Sequence, residues 1–337
     1  MLKYQYSGLE QTFHKLVLGS KFIQTTSFDL QQLLSPNLKN PEQPVFVVGM
    51  ARSGTTTLLN LLFESGQFES SRYSDLPFPL IPSIWRKILK KFSNAQTAIE
   101  RAHGDGITIT PNSPEAFEEV FWSNIGNHLH GEELHQAFCN YISSICSADG
   151  VKKRYISKNN NNITRLSFLV EVCQKLNGII VIPIRNPIKT AISSLRMHQR
   201  FSRMQMENQF VLEYMNMIGH REFGQGLQWL QVGERPFKPN YSVNDFECWL
   251  EYWIYLHNGL INWKNVNYVY FLDFDDLRNN PSCKTKELYQ LCNVTGYAES
   301  ISALLIRDST GNSKETELEC LGRIQQAELI LKNLLNK

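Results

Sequence analysis

Four apolar residues, Val45-Phe-Val-Val48, run directly into Gly49-Met-Ala-Arg-Ser-Gly54 and then into a stretch rich in Thr and Leu. A short β-branched run of this kind reads as a parallel strand buried on both faces. Behind it, Leu58, Leu59, Leu61, Leu62 and Phe63 make the broad apolar face of a helix. Gly-x-x-x-x-Gly between a strand and a helix is the frame of a phosphate loop, in which backbone N–H groups and the helix N-terminus meet an anion. That junction places the chain in an α/β sheet.

The rest of the sequence repeats the alternation. Tyr155 to Ser157, Ile179 to Ile184 and Tyr268 to Leu272 read as further strands. Helices are expected over Ile163–Leu176, from Pro187 behind Asn186, over Glu207–Phe223, Val243–Trp263 and Pro281–Leu291. Ser113-Pro114-Glu115 has the form of a helix start running to Ser123, and Glu132 to Ile145 of another. Residues 70–94, rich in Pro and aromatics, read as a long surface loop with short helical pieces, and Asn159–Asn162 as a loop. The expected fold is a three-layer αβα of the P-loop type with a mainly parallel central sheet. Residues 1–43 form a lead-in segment, and residues 44–337 a single domain with a helical and loop insertion at about 70–150.

Composition narrows the function. Among 337 residues, 34 Lys plus Arg balance 32 Asp plus Glu. Such a balance supports neither nucleic-acid wrapping nor a polybasic membrane patch, so any anion site is local. No run of about 18 apolar residues and no apolar leader occurs, and the seven Cys never fall as C-x-x-C. These features point to reduced thiols, a cytoplasmic location and no structural zinc.

In a nucleotide triphosphatase the second loop Gly is followed by a Lys that reaches the β- and γ-phosphates. Here that position is Thr55, and the cation inside the loop is Arg52. A transferring sulfuryl group carries one less negative charge than a phosphoryl group. A single cation with a fan of donors from Ser53, Thr55, Thr56 and Thr57 suits it, without metal. A second window, Ile182-Pro-Ile-Arg185-Asn-Pro187, lets Arg185 leave the C-terminal end of a central strand, where open sheets bind ligands. Ser193 follows two helical turns later, so the pair can converge on one phosphate.

These two windows, about 130 residues apart, resemble the sulfotransferase family that uses 3′-phosphoadenosine 5′-phosphosulfate (PAPS). The Arg-Ser-Gly-Thr-Thr loop is similar to that of the tyrosylprotein and many bacterial members. The resemblance covers residues 44 to about 295 and implies that Arg52, Ser53, Gly54, Thr55, Thr56 and Thr57 hold the 5′-phosphosulfate. It likewise implies that Arg185 and Ser193 bind the 3′-phosphate. Asp273, Asp275 and Asp276 resemble the family's late strand and acidic turn. The expected reaction moves a sulfonate to an acceptor hydroxyl, with a saccharide or lipid-linked glycan as acceptor.

In-line transfer also needs a base for the acceptor proton and a cation on the bridging oxygen. Asp75 lies where the resemblance places an acidic base, although the tyrosylprotein enzymes carry Glu there in a different local pattern. His103, between glycines, is the second candidate. Lys158 follows the Tyr-Ile-Ser strand, where the family often has a Lys near the transferred group. Glu115, Glu118 and Glu119 read as helix-start carboxylates, and Trp249, Tyr252, Trp253 and Leu256 as core. Lys189, Ser193, Arg196, Arg200 and Arg203 follow helical spacing as a basic stripe, and from Arg196 onward it reads as a solvated face rather than a contact for an acidic substrate. Two other readings stay open: a P-loop kinase or NTPase, supported by an apolar strand ending in Asp273, and a non-catalytic nucleotide-binding protein.

Overall fold

Two helices precede the first strand in the computed structural model, which describes residues 7–35, 38–92, 99–100, 108–115, 117–296 and 321–335. They are α1 (Gly8–Leu18) and α2 (Lys21–Leu34), followed by β1 (Val45–Val47), α3 (Thr55–Glu64), β2 (Phe68–Glu69) and α4 (Pro82–Phe92). Next come β3 (Ile99–Glu100), β4 (Thr108–Ile109), α5 (Glu118–Asn124), α6 (Gly131–Cys146), β5 (Arg154–Lys158), α7 (Leu166–Leu176) and β6 (Ile179–Ile184). The chain continues through α8 (Pro187–Glu207), α9 (Gln209–Met217), α10 (Phe246–Leu260), β7 (Val269–Asp273), α11 (Phe274–Asn279), α12 (Pro281–Leu291) and α13 (Leu321–Leu335).

Five parallel strands form the central sheet in the order β2-β5-β1-β6-β7, and β3 and β4 pair separately as an antiparallel ribbon. Successive side chains leave opposite faces of a strand. Accordingly Phe46, Val48, Ile180 and Ile182 belong to one core, with residues of α6, α7, α8, α10 and α13. Val45, Val47, Ile156 and Val181 belong to a second core with α3 and α12. Helices therefore cover both faces, which is the αβα arrangement expected. Pro183 is tolerated inside β6 because of where β1 stops. The last bond between those strands runs from Val48 N–H to the Val181 carbonyl, so the N–H that Pro183 lacks would face past the end of β1.

Several element readings are corrected. Within the lead-in segment, α1 and α2 bury Val17, Leu18 and Phe28, and Gln24 Nε2 donates to the Pro77 carbonyl at 3.1 Å. Of the expected surface loop over 70–94, residues 70–92 are described and do not form one, because Ser70, Ser71, Asp75, Leu76, Leu80 and Ile81 are buried ahead of α4. Pro114 is extended and bridges Arg72, so the helix begins only at Glu118. The expected helix over 207–223 is interrupted at its start. Asn208 adopts an extended conformation and its side chain accepts from Phe210 N–H, which ends α8 and caps the shorter α9. Trp249, Tyr252, Trp253 and Leu256 are buried core, as expected. Among the described residues no helix is long and apolar enough to cross a membrane. Of the six described cysteines, all unpaired, only Cys283 is exposed.

One core histidine makes stability depend on pH. His257 stacks on Trp253 with ring centroids 3.8 Å apart, and its Nδ1 lies 2.7 Å from the Trp253 carbonyl. Burial pushes its pKa down from 6.5 to about 4. Between those values the unfolded chain binds more protons than the folded one. Stability is therefore full above about pH 6.5 and falls as pH drops toward 4. At 1.36 kcal/mol per pKa unit, about 2 kcal/mol should be lost from this residue between pH 7 and pH 5. Burial lowers His14 and His198 too, in the same sense. Urea unfolding at those two pH values should show a smaller difference for His257→Leu than for the parent.

Candidate active site

The C-terminal ends of three adjacent strands, β5, β1 and β6, build the site. In register, Val47 at the end of β1 faces Lys158 at the end of β5 and Val181 of β6. Arg185 follows β6 by one residue. Open parallel sheets bind ligands at such carboxyl ends.

The loop from β1 to α3 owes its shape to two left-handed residues, Arg52 with φ 73° and Gly54 with φ 103°. Gly54 is doubly required, because a Cβ there would drive into the Phe274 ring. A left-handed non-glycine residue such as Arg52 carries backbone strain of about 1–3 kcal/mol. Gly54 is also the N-cap of α3, and no side chain caps that helix end. The positive end of α3 thus points out of the loop. Gly54→Ala should displace Phe274 and lower the urea unfolding midpoint relative to the parent, which urea titration of the two proteins checks.

Side chains from both sequence windows meet here. Arg52 Nε donates to Ser193 Oγ at 3.0 Å, and Arg185 Nη1 donates to the Arg52 carbonyl at 3.1 Å. Arg185 is only 8% exposed. Its pKa is lowered by burial, and the neighbouring guanidiniums of Arg52 and Arg278 lower it further, against the opposing pull of Asp275. Asp275 is itself shared, accepting from Asn186 N–H at 2.7 Å and from Lys189 Nζ at 3.3 Å. The like-charged Arg52 and Arg278 beside buried Arg185 favour an incoming anion there. Lys158, also 8% exposed, makes no hydrogen bond or ion pair with the described residues. A buried ammonium without a counter-ion is costly unless a ligand supplies one.

The donor fan differs from expectation in one member. Ser53 is buried, and both its Oγ (2.7 Å) and its amide (3.2 Å) donate to the Met50 carbonyl, so its hydroxyl braces the loop. Thr55 Oγ1 donates to Asn160 Oδ1 at 3.3 Å, while Thr56 and Thr57 are half-buried on the first turn of α3.

Asp75 sits in a separate ion network. It is fully buried, with Arg86 Nε on Oδ1 and Arg86 Nη2 on Oδ2, both at 2.7 Å, and it accepts from Arg72 N–H at 2.8 Å. Such a carboxylate serves as a counter-ion. His103 lies outside the described residues.

The Asn run read as a plain loop proves to be a hub. Asn159 Nδ2 donates to Glu119 Oε1 (2.8 Å), Asn160 Nδ2 to Glu222 Oε1 (2.7 Å), Asn161 Nδ2 to the Gly219 carbonyl (3.2 Å) and Asn162 Nδ2 to Glu118 Oε1 (2.7 Å). Four successive amides thereby fasten α5 and the segment after α9 to the end of β5. The sequence signal was the run itself, placed directly after a strand ending in Lys. Glu118 and Glu119 do open α5, yet both are buried, Glu118 bonded also to Tyr155 and Trp122 and Glu119 to Arg165.

A parallel five-stranded sheet flanked by helices, with arginines converging beside the uncapped N-terminus of α3, defines a three-layer α/β protein. The profile of the Sulfotransferase family matches residues 44–299, and the chain belongs to that family. Among solved structures, sulfotransferase STF9 from Mycobacterium avium is similar at 11% identity and a TM-score of 0.55, covering 95% of this chain and 83% of its own. Sulfotransferase STF1 from Mycobacterium tuberculosis is similar at 12% identity and a TM-score of 0.52, covering 96% and 86%. At such identities the likeness is one of fold. No curated protein sequence matches the chain.

Proposed function

We propose that this sulfotransferase takes its sulfonate from PAPS and passes it to an acceptor hydroxyl. The observation that carries the reading is the meeting of Arg52, Arg185 and Ser193 at the open N-terminus of α3. PAPS supplies an activated sulfonate on its 5′-phosphate and a 3′-phosphate as a handle. The Arg52 guanidinium, the Thr55, Thr56 and Thr57 hydroxyls and the first-turn amides of α3 hold the 5′-phosphosulfate; Gly54 leaves room for the loop to close on it. Arg185 and Ser193 hold the 3′-phosphate through a fork suited to such an anion. Lys158 offsets charge on the bridging oxygen, a role in which a well-aimed donor supplies about 3–4 kcal/mol. A saccharide or lipid-linked glycan is the acceptor we favour, on family analogy. The kinase alternative draws on Asp273 as a magnesium ligand, but its side chain accepts from Asp276 N–H at 3.0 Å and caps α11.

Calorimetric titration with 3′-phosphoadenosine 5′-phosphate (PAP), AMP and ATP plus magnesium tests the reading. PAP should bind without metal at micromolar Kd, about −8 kcal/mol, and ahead of both competitors. A preference for ATP with magnesium would make the protein a phosphotransferase.

A further inference from the structure

We propose that Glu222 is the base that takes the proton of the acceptor hydroxyl; this rests on the sulfonate-transfer reading above. Glu222 lies in the segment between α9 and α10 that the Asn hub fastens to the site. That segment is held on both sides of the residue. Asn161 Nδ2 donates to the Gly219 carbonyl, and Gly224 N–H donates to His198 Nδ1 at 3.2 Å. Both glycines are left-handed, with φ 75° and 82°, and a Cβ would run into Glu119 at the first and into Gln205 at the second. The chain is therefore pressed against α5 on one side of Glu222 and against α8 on the other.

Glu222 is also joined to the phosphate loop. Its Oε1 accepts from Asn160 Nδ2 at 2.7 Å, and Asn160 Oδ1 accepts from Thr55 Oγ1 at 3.3 Å. One amide side chain thus separates the carboxylate from a hydroxyl at the start of α3. Glu222 is half-buried, and its Oε2 makes no hydrogen bond with the described residues. Five other carboxylates near the sheet ends are engaged at both oxygens. Asp75 is held by Arg86 and Arg72, Glu69 by Arg72 and Arg86, Glu118 by Asn162, Trp122 and Tyr155, and Glu119 by Asn159 and Arg165. Asp275 is taken by Asn186 and Lys189. An amide is not a base, so Asn160 orients Glu222 and leaves Oε2 for the substrate.

The step balances without a further reactant. The acceptor oxygen forms its bond to sulfur while the bond from sulfur to the bridging oxygen breaks. That electron pair leaves with the 5′-phosphate of PAP. The hydroxyl proton passes to Glu222 Oε2 and then to water.

Glu222→Gln tests this, because its amide oxygen can still accept from Asn160 but cannot take a proton. PAP affinity is read by calorimetry, and turnover as sulfonate transfer from PAPS to water or to phenol. PAP should bind within about twofold of the parent while turnover falls about 10²- to 10⁴-fold, the usual contribution of a general base. His220→Gln, two residues away, should keep turnover within about threefold. The assignment is overturned if Glu222→Gln turns over within threefold of the parent, or if PAP affinity falls in step with the rate. It is equally overturned if His220→Gln is the variant that loses turnover, or if the parent binds PAP and transfers to neither probe. A parent that fails to bind PAP at all instead removes the PAPS reading.

Discussion

Arg185→Ala is expected to weaken PAP binding roughly 10- to 150-fold while AMP binding changes only a few-fold. The range follows from about 1.5–3 kcal/mol for hydrogen bonds to a charged group, here those of the guanidinium fork to the 3′-phosphate. AMP lacks that phosphate. Its smaller loss comes from the hydrogen bond that Arg185 gives to the Arg52 carbonyl, which supports the left-handed turn. The stability of the free protein should hold or rise. Removing Arg185 ends the burial of its charge and its repulsion from Arg52 and Arg278, against the lost attraction to Asp275, which keeps Asn186 and Lys189. Arg185→Lys should recover only part of the affinity, since an ammonium keeps the charge but not the fork. Parallel titrations with PAP and AMP separate these outcomes. Equal losses for the two nucleotides would move the 3′-phosphate elsewhere.

Arg86→Ala should cost about 3–5 kcal/mol of folding stability, the usual price of breaking a buried pair by deleting one partner. Arg86 is 4% exposed and holds Asp75 through two bonds, Glu69 at 3.1 Å and the Ser70 carbonyl at 3.0 Å. Its neighbours Asp75, Glu69 and Asp149 hold its pKa above the usual value, despite burial. Without it, Asp75 keeps the Arg72 backbone amide, while the Arg72 guanidinium stays with Glu69. For a domain whose total stability is about 5–15 kcal/mol, that loss shows plainly in urea unfolding. Asp75→Asn carries the same logic. If Asp75 is a counter-ion, the variant loses stability and its residual turnover tracks the folded fraction. If it were the base, turnover would collapse with unfolding unchanged.

The parts of the proposed donor site are local, so the residues alone suggest them. The phosphate loop lies within ten residues, and its chemistry follows from a strand, two glycines and a helix start. Arg185 leaves a strand whose apolar run marks it as central. Local pattern also exposed the Trp249–Leu256 core face. It failed where a neighbour decided the outcome. Ser53 looked like a ligand hydroxyl, but the turn points it at the Met50 carbonyl. Pro114 looked like a helix start, but pairing with Arg72 keeps it extended. Asp75 looked like a loop carboxylate, and the side chain that neutralises it comes from α4, eleven residues on.

By itself the sequence determined the sheet-forming runs and the glycine frame of the loop between β1 and α3, because period, turn chemistry and caps act over a few residues. Only the tertiary structure decided which polar groups are spent on one another and which remain for a ligand. Asn160, Thr55 and Glu222 stand far apart along the chain, yet they form one hydrogen-bonded path. Hydrogen bonds and ion pairs act over a few ångströms, so a side chain's role depends on which partner the fold brings within reach.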